Sequence, residues 1–163
     1  MAMGRKNSHC SYCGAAFAED AAWPRTCATC RETSFLNPLP VAVVLVPVGG
    51  GLLAVRRTIP PGRGQIALPG GYINQDESWQ AAGAREVFEE TGIRIDAAGI
   101  RDHAVLSAPD GTLLVFGLAA PLSGELPTLV ANDEVSELTI LLRPEPLAFS
   151  LHTQVVDRYF ARR

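Results

Sequence analysis

The most apolar stretch of the chain begins at Val41-Ala42-Val43-Val44-Leu45-Val46, is broken by Pro47 and a triple glycine, and resumes as Leu52-Leu53-Ala54-Val55. Short β-branched runs bounded by turn residues predict strands, here read as a hairpin. Residues 58–71 hold three Pro and four Gly residues closely spaced around Arg63 and read as a loop. From about Ser78 to Thr91 the spacing predicts a helix, with Asp76, Glu77 and Ser78 suited to its start and Gly92 to its end. Strands are expected near 100–107 and 112–119 around a Pro109-Asp110-Gly111 turn, and again near 135–142. A final helix at about 151–161 places Leu151, Val155, Val156 and Tyr159 at helical intervals. The pattern is that of a mixed α/β domain without internal repeats.

Residues 1–37 look different. They contain all four cysteines and little hydrophobic periodicity, and Asn37-Pro38-Leu39-Pro40 reads as an extended connector to a domain spanning 38–163. Cys10-Ser11-Tyr12-Cys13 and Cys27-Ala28-Thr29-Cys30 are two Cys-x-x-Cys pairs thirteen residues apart. A two-residue gap lets one tight turn offer two sulfurs to a single ion, and a second turn completes a tetrahedron, so a structural zinc held by Cys10, Cys13, Cys27 and Cys30 is expected. Unpaired buried thiols and a redox pair are the alternatives. A redox Cys-x-x-Cys normally opens a helix in a β-α-β context, which is not evident here. A site closed by four thiolates leaves no position open for catalysis.

Composition narrows the function classes. At 163 residues, 47% apolar and 19% charged, the chain is long enough to bury a core without disulfides. A net charge of −3 supplies no bulk attraction for nucleic acid or anionic lipid, so neither is an expected partner. The interrupted 41–55 stretch is too short for a bilayer, and the polar N-terminus lacks a signal-type apolar run, so the expected location is the cytoplasm.

The helix at 78–91 carries the candidate chemistry. On a wheel of about 100° per residue, Glu86, Glu89 and Glu90 fall on one side, flanked by the small residues Ala82 and Gly83. Ala81, Ala84, Val87 and Phe88 fall on the other, which is expected to face a sheet. Carboxylates three and four apart repel by roughly 0.2–0.5 kcal/mol per pair. Hard divalent cations such as magnesium or manganese convert that repulsion into coordination. A lone Glu-x-x-Glu-Glu would read as a solvated acidic face, but here it belongs to a longer pattern. Gly71 is followed after five residues by Glu77, and after seven more by Arg85-Glu86-Val87-Phe88-Glu89-Glu90-Thr91-Gly92-Ile93.

That pattern meets every defined position of the Nudix box, and the chain resembles the Nudix hydrolases over about residues 38–162. The resemblance implies an α/β/α sandwich around a mixed sheet, here preceded by a small zinc ribbon. It implies hydrolysis of a nucleoside diphosphate linked to another group, X, with Mg²⁺ or Mn²⁺ as cofactor. By resemblance Glu86, Glu89 and Glu90 are metal ligands, with the backbone carbonyl of Gly70 as another, and Arg85 holds Glu86 and Glu77 in place. Glu134 and Glu137 lie near a late strand where many relatives carry a further base or ligand, and Glu137 is the one favoured here. Relatives are commonly homodimers, although this sequence carries no interface signature of its own.

Two Nudix groups carry an N-terminal zinc module. The Ser-Gln-Pro-Trp-Pro type signature of the NADH pyrophosphatases is replaced by Ser107-Ala108-Pro109-Asp110-Gly111. The chain is more similar to the FAD and ADP-ribose pyrophosphatases through Asn37-Pro38, Arg57-Thr58-Ile59-Pro60-Pro61 and Leu147-Ala148-Phe149-Ser150. FAD or ADP-ribose is therefore the expected substrate, with NADH the alternative. A regulatory protein that senses a nucleotide, or an enzyme that removes a nucleotide cap from RNA, would be built on the same domain. Of the remaining candidates, Arg56, Arg57 and Arg63 are read as solvated, and His103 and His152 as structural histidines.

Overall fold

The computed structural model describes residues 6–123 and 133–162, and the chain divides into two units, Met1–Pro38 and Leu39–Arg163. The first holds a two-stranded antiparallel ribbon, β1 (Arg25–Thr26) and β2 (Thr33–Ser34). The second runs β3 (Leu39–Leu45), β4 (Pro47–Val48), β5 (Gly51–Arg57), β6 (Ile66–Ala67), β7 (Gly70–Tyr72), α1 (Trp79–Thr91), β8 (Arg101–Ser107), β9 (Thr112–Leu118), β10 (Val135–Leu141) and α2 (Ser150–Ala161).

The continuous apolar run of β3 follows from burial on both faces. Val43 and Leu45 join Leu52, Ala54, Phe116 and the α2 residues Val155, Val156 and Tyr159. The alternate residues Val44 and Val46 join Leu53, Ile93, Ile100 and Val87 of α1. Helices thus cover opposite faces, giving the α/β/α arrangement. One sheet has the order β7-β3-β9-β8 and is mixed, because β3 and β9 run parallel while the other pairs are antiparallel. The other has the order β10-β5-β4, with β6 also on β5, and is antiparallel.

Two expectations need correction. The strands at 41–46 and 52–55 do not form an extended hairpin: β3 pairs with β7 and β9, and only Pro47-Val48 folds back on Gly51-Leu52. Gly49 and Gly50, with φ of 54° and 83°, supply the tight reversal, and β5 then enters the other sheet. The wheel also divided α1 wrongly. Its buried residues are Ala82, Gly83, Val87, Glu90 and Thr91, whereas Phe88 is exposed beneath the Arg94 guanidinium. Gly83 is the point of closest approach to the sheet, since a Cβ there would lie 2.7 Å from Val44 Cγ2. Gly83 therefore serves helix–sheet packing, and Ala82 beside it is fully buried. Among the described residues no helix is long and apolar enough to cross a membrane.

Candidate active site

Three local features bring the box together. β7 lies against β3, with Val43 opposite Gly70 and Ala42 opposite Gly71. A side chain at Gly70 would collide with the Ala42 carbonyl oxygen, so the absence of one permits this close pairing. Helix α1 is capped at its start by Ser78, whose hydroxyl accepts the Ala81 N–H at 3.1 Å, and ends at Gly92 in the left-handed conformation. Between them Glu77 Oε1 accepts the Asn74 N–H at 2.6 Å, tying the loop to the helix entry.

Arg85 is the hub. Its guanidinium donates to Glu77 at 2.7 and 3.2 Å, to Glu86 at 2.7 Å, to Glu89 at 2.9 Å and to the Tyr72 carbonyl at 3.0 Å. The Glu86 carboxylate rests on the bare Cα of Gly71, where a Cβ would come within 2.5 Å of its carboxyl carbon. Gly70 N–H donates to Glu90 Oε2 at 3.1 Å. Gly70, Gly71, Glu86 and Glu90 thus meet on one wall of a cleft of about 1070 Å³, which Glu89, Arg57, Glu134, Tyr72, Phe149 and His152 also line.

The electrostatics reflect how closely the carboxylates are packed. Burial pushes the Glu90 carboxyl up to about 8; the Gly70 N–H and Arg57 oppose this, while Glu86 and Glu134 add to it. Burial also raises Glu86, against the pull of Arg85. Glu77 is held below the usual carboxylate range, chiefly by its hydrogen bonds from Arg85. Without a cation, Glu90 at 5% exposure keeps its proton at neutral pH. A hard oxygen-donor set fitted into a cradle that any Cβ would fill suits Mg²⁺ or Mn²⁺.

Glu137 is not brought into this cluster. It pairs with Arg56 at 2.6 Å, both side chains being well exposed, and it does not line the cleft. Glu134, the residue passed over, lines it and acts electrostatically on Glu86 and Glu90. Arg56 is taken up by Glu137 and Arg63 by the Thr58 carbonyl. Arg57 faces the cleft with its guanidinium over the Phe149 ring, 5.2 Å from the centroid. Phe149 was the residue missed: it closes the cleft from the start of α2, and only the Leu147–Ser150 motif pointed to it.

In the N-terminal unit the two Cys-x-x-Cys turns are built alike. Gly14 N–H donates to the Cys10 carbonyl and Arg31 N–H to the Cys27 carbonyl, each at 3.0 Å. Both turns end in the left-handed region, with φ of 75° at Gly14 and 66° at Arg31. The four sulfurs lie within 4.8 Å of one another, Cys10 being 3.7 Å from Cys30 and Cys13 3.6 Å from Cys27. Sulfurs arranged tetrahedrally about zinc at the usual bond length are about 3.8 Å apart, so the donor set and its spacing fit that ion. The Cys30 backbone N–H draws the Cys27 thiol down to about 6, whereas Cys30 is pushed up to about 12: the Glu32 N–H pulls it down, but burial and the three other sulfurs outweigh that.

A model of the NUDIX domain matches residues 37–162. The chain belongs to the Nudix family. The chain is 46% identical over 61 residues to a MutT-like protein of Streptomyces ambofaciens, covering 37% of this chain and 38% of that protein. It is 30% identical over 92 residues to the NAD-capped RNA hydrolase NudC of Klebsiella pneumoniae, covering 56% of this chain and 35% of that protein. These alignments span little more than a third of the curated relatives' lengths. Among solved structures, a Nudix hydrolase from Nitrosomonas europaea superposes with a TM-score of 0.76 at 26% identity, covering 96% of this chain and 92% of that one. A bifunctional NMN adenylyltransferase/ADP ribose pyrophosphatase from Francisella tularensis gives 0.58 at 28% identity, covering 76% and 38%.

Proposed function

We propose that the protein is a divalent-metal-dependent Nudix pyrophosphohydrolase that cleaves the diphosphate between a nucleoside and a second group, with FAD or ADP-ribose as the first substrates and NADH as the alternative. The carrying observation is the convergence of Glu86 and Glu90 on Gly70 and Gly71, under the clamp of Arg85. Relatives named for NAD-capped RNA hydrolysis and for ADP-ribose pyrophosphatase activity support a nucleotide-diphosphate substrate.

Glu86, Glu89 and Glu90, with the Gly70 carbonyl, would hold Mg²⁺ or Mn²⁺. The bound cation would screen the diphosphate charge and acidify water for attack at phosphorus. The chain's own residues then have distinct tasks. Arg85, itself held by Glu77, fixes Glu86, and the Gly70 N–H fixes Glu90. Arg57 offers a cation in the cleft for a phosphate oxygen, and to Glu134, which lines the same cleft, we assign the acceptance of a proton from attacking water. Tyr72 and Phe149 are ring surfaces of the same cleft available to a base or flavin. In the N-terminal unit Cys10, Cys13, Cys27 and Cys30 form a structural zinc ribbon.

The test is hydrolysis of FAD, ADP-ribose, NADH, NAD, an NAD-capped oligonucleotide, dinucleoside polyphosphates and nucleoside triphosphates with Mg²⁺ and Mn²⁺, for wild type and Glu90→Gln. Turnover of a diphosphate-linked compound, falling at least about a hundredfold in the variant, is the expected result. Binding of a nucleotide with no turnover anywhere would overturn the enzyme in favour of a sensor.

A further inference from the structure

One buried polar group in the cleft has no part in the chemistry above. His152, in the first turn of α2, is 5% exposed yet lines the cleft. Its ring is edge-on to Phe116, with centroids 5.6 Å apart, and tilted against Phe149 at 4.9 Å. The Leu68 N–H donates to its Nδ1 at 3.3 Å. A nitrogen that accepts a hydrogen bond carries no proton, so the neutral ring has its proton on Nε2. Burial, with a smaller contribution from Arg57, lowers the ring's pKa to about 3 and keeps it neutral. Among the described residues Nε2 has no hydrogen-bond partner, and no fully buried side-chain nitrogen or oxygen is left unpartnered. Nε2 therefore keeps contact with solvent, and the cleft is where the residue meets it.

We infer that His152 is a substrate-binding residue, presenting a pre-oriented, uncharged Nε2–H donor at the floor of the cleft to an oxygen of the diphosphate-linked substrate. This rests on the activity proposed above. Arg57, Glu90 and His152 line the same cleft, and the Phe149 ring that His152 packs against lies under the Arg57 guanidinium. A substrate whose diphosphate meets the carboxylates and Arg57 brings its own oxygens toward His152. The ring cannot swing aside to avoid this contact, because Phe116, Phe149 and the Leu68 N–H hold it from different sides.

Three substitutions separate the donor from the anchor. His152→Phe keeps the ring and removes both nitrogens; His152→Asn keeps an acceptor for Leu68 but is too short to present its N–H at the Nε2 position; His152→Gln restores an N–H near Nε2. KM and kcat would be measured on the best substrate, together with melting temperature and calorimetric Kd values for ADP-ribose and ADP without Mg²⁺. Loss of one net hydrogen bond should weaken binding about three- to tenfold in the Phe and Asn variants, seen in KM more than kcat, with most of it recovered in Gln. Equal weakening for ADP and ADP-ribose would place the accepting oxygen on the diphosphate, and weakening for ADP-ribose alone would place it on the second group. Wild-type KM and Kd in Phe and Asn, a Gln variant no better than Phe, or no ADP-ribose binding by wild type would each overturn the assignment. Failure of wild type to hydrolyse any substrate would sink the proposed activity, while the Kd comparison would still report on His152.

Discussion

Gly71→Ala should uncouple activity from stability. Gly71 has no left-handed backbone to protect, so alanine is tolerated there except for its methyl group. The new Cβ would lie 2.5 Å from Glu86 Cδ and Oε1 and 2.6 Å from Oε2, whereas ordinary contact begins at 3.4 Å. The carboxylate must therefore retreat by about 0.9 Å, the difference between those two contact distances. The 2.7 Å bond from Arg85 resists that movement. A displacement of about 1 Å at a reacting centre is worth on the order of a hundredfold in rate. The fold loses little, about 1 kcal/mol, because the carboxylate can turn toward solvent. Gly83→Ala is the matched control. Its Cβ would lie 2.7 Å from Cγ2 of Val44, a stiff side chain at 1% exposure, and far from solvent. Overpacking of about 1–3 kcal/mol, partly offset by the better helix propensity of alanine, should lower the melting point by a few degrees and leave turnover near wild type. The assay is kcat/KM across a Mg²⁺ titration beside thermal melts. Wild-type activity in Gly71→Ala at every Mg²⁺ concentration would refute the cradle.

Other outcomes follow from the same geometry. Glu134→Gln should reduce kcat at least tenfold while Glu137→Gln stays within about twofold, since only Glu134 lines the cleft; the reverse order in steady-state kinetics would restore Glu137. Cys27→Ser should lower zinc, measured by elemental analysis, from one ion per chain to well below one, because removing one of four sulfurs opens the tetrahedron. His152 titrates at about 3 when folded against an ordinary 6.5, so between those values the unfolded chain binds more protons. Its contribution to stability is therefore full above pH 6.5 and lost as pH falls, at up to about 1.4 kcal/mol per unit. Denaturant melts of wild type and His152→Phe from pH 7 to 4.5 should differ by that slope, and a constant difference would contradict it.

The box was legible because its spacing is a property of one helix and one tight loop, both local. Ser78, Gly92 and the Pro109-Asp110-Gly111 turn were legible for the same reason: caps and turns are decided within a few residues. The choice between Glu134 and Glu137 was not local. Glu134 stands just before β10 and Glu137 within it, and which of them meets the cleft depends on how that strand enters its pairing with β5. That register shifts between Val135 and Glu137, leaving Glu137 opposite Arg56, and nothing in the one-dimensional pattern announces the shift. The pairing of β3 with β9 was hidden likewise, because a parallel partner about seventy residues away leaves no mark in the hairpin-like sequence beside it.

The error on α1 shows where the functional strain lies. Gly83, Val87 and Glu90 are spaced i, i+4, i+7, the stripe a packed helix fills with apolar residues, and the third place holds a carboxyl group. A reading that sends every polar residue outward must misplace it. Local pattern and global fold disagree here because the site needs a carboxylate against the sheet, beside Glu86 and Glu134. The disagreement has a measurable cost. The Glu90 carboxyl, at about 8 when folded against an ordinary 4.5, binds its proton more tightly in the native state. Native stability therefore declines as pH rises from 4.5 toward 8, by on the order of 3 kcal/mol at pH 7 for a group this buried. Glu90→Gln removes the ionisation and keeps an acceptor for the Gly70 N–H. Without added Mg²⁺ or Mn²⁺ and with zinc retained, the variant should melt higher than wild type at pH 7.5, and the gap should close by pH 4.5. Saturating Mg²⁺ should raise the wild type alone. A wild type that matches Glu90→Gln at pH 7.5 without added cation would mean that the acidic cluster costs the fold nothing, and the electrostatic account of the site would fail with it.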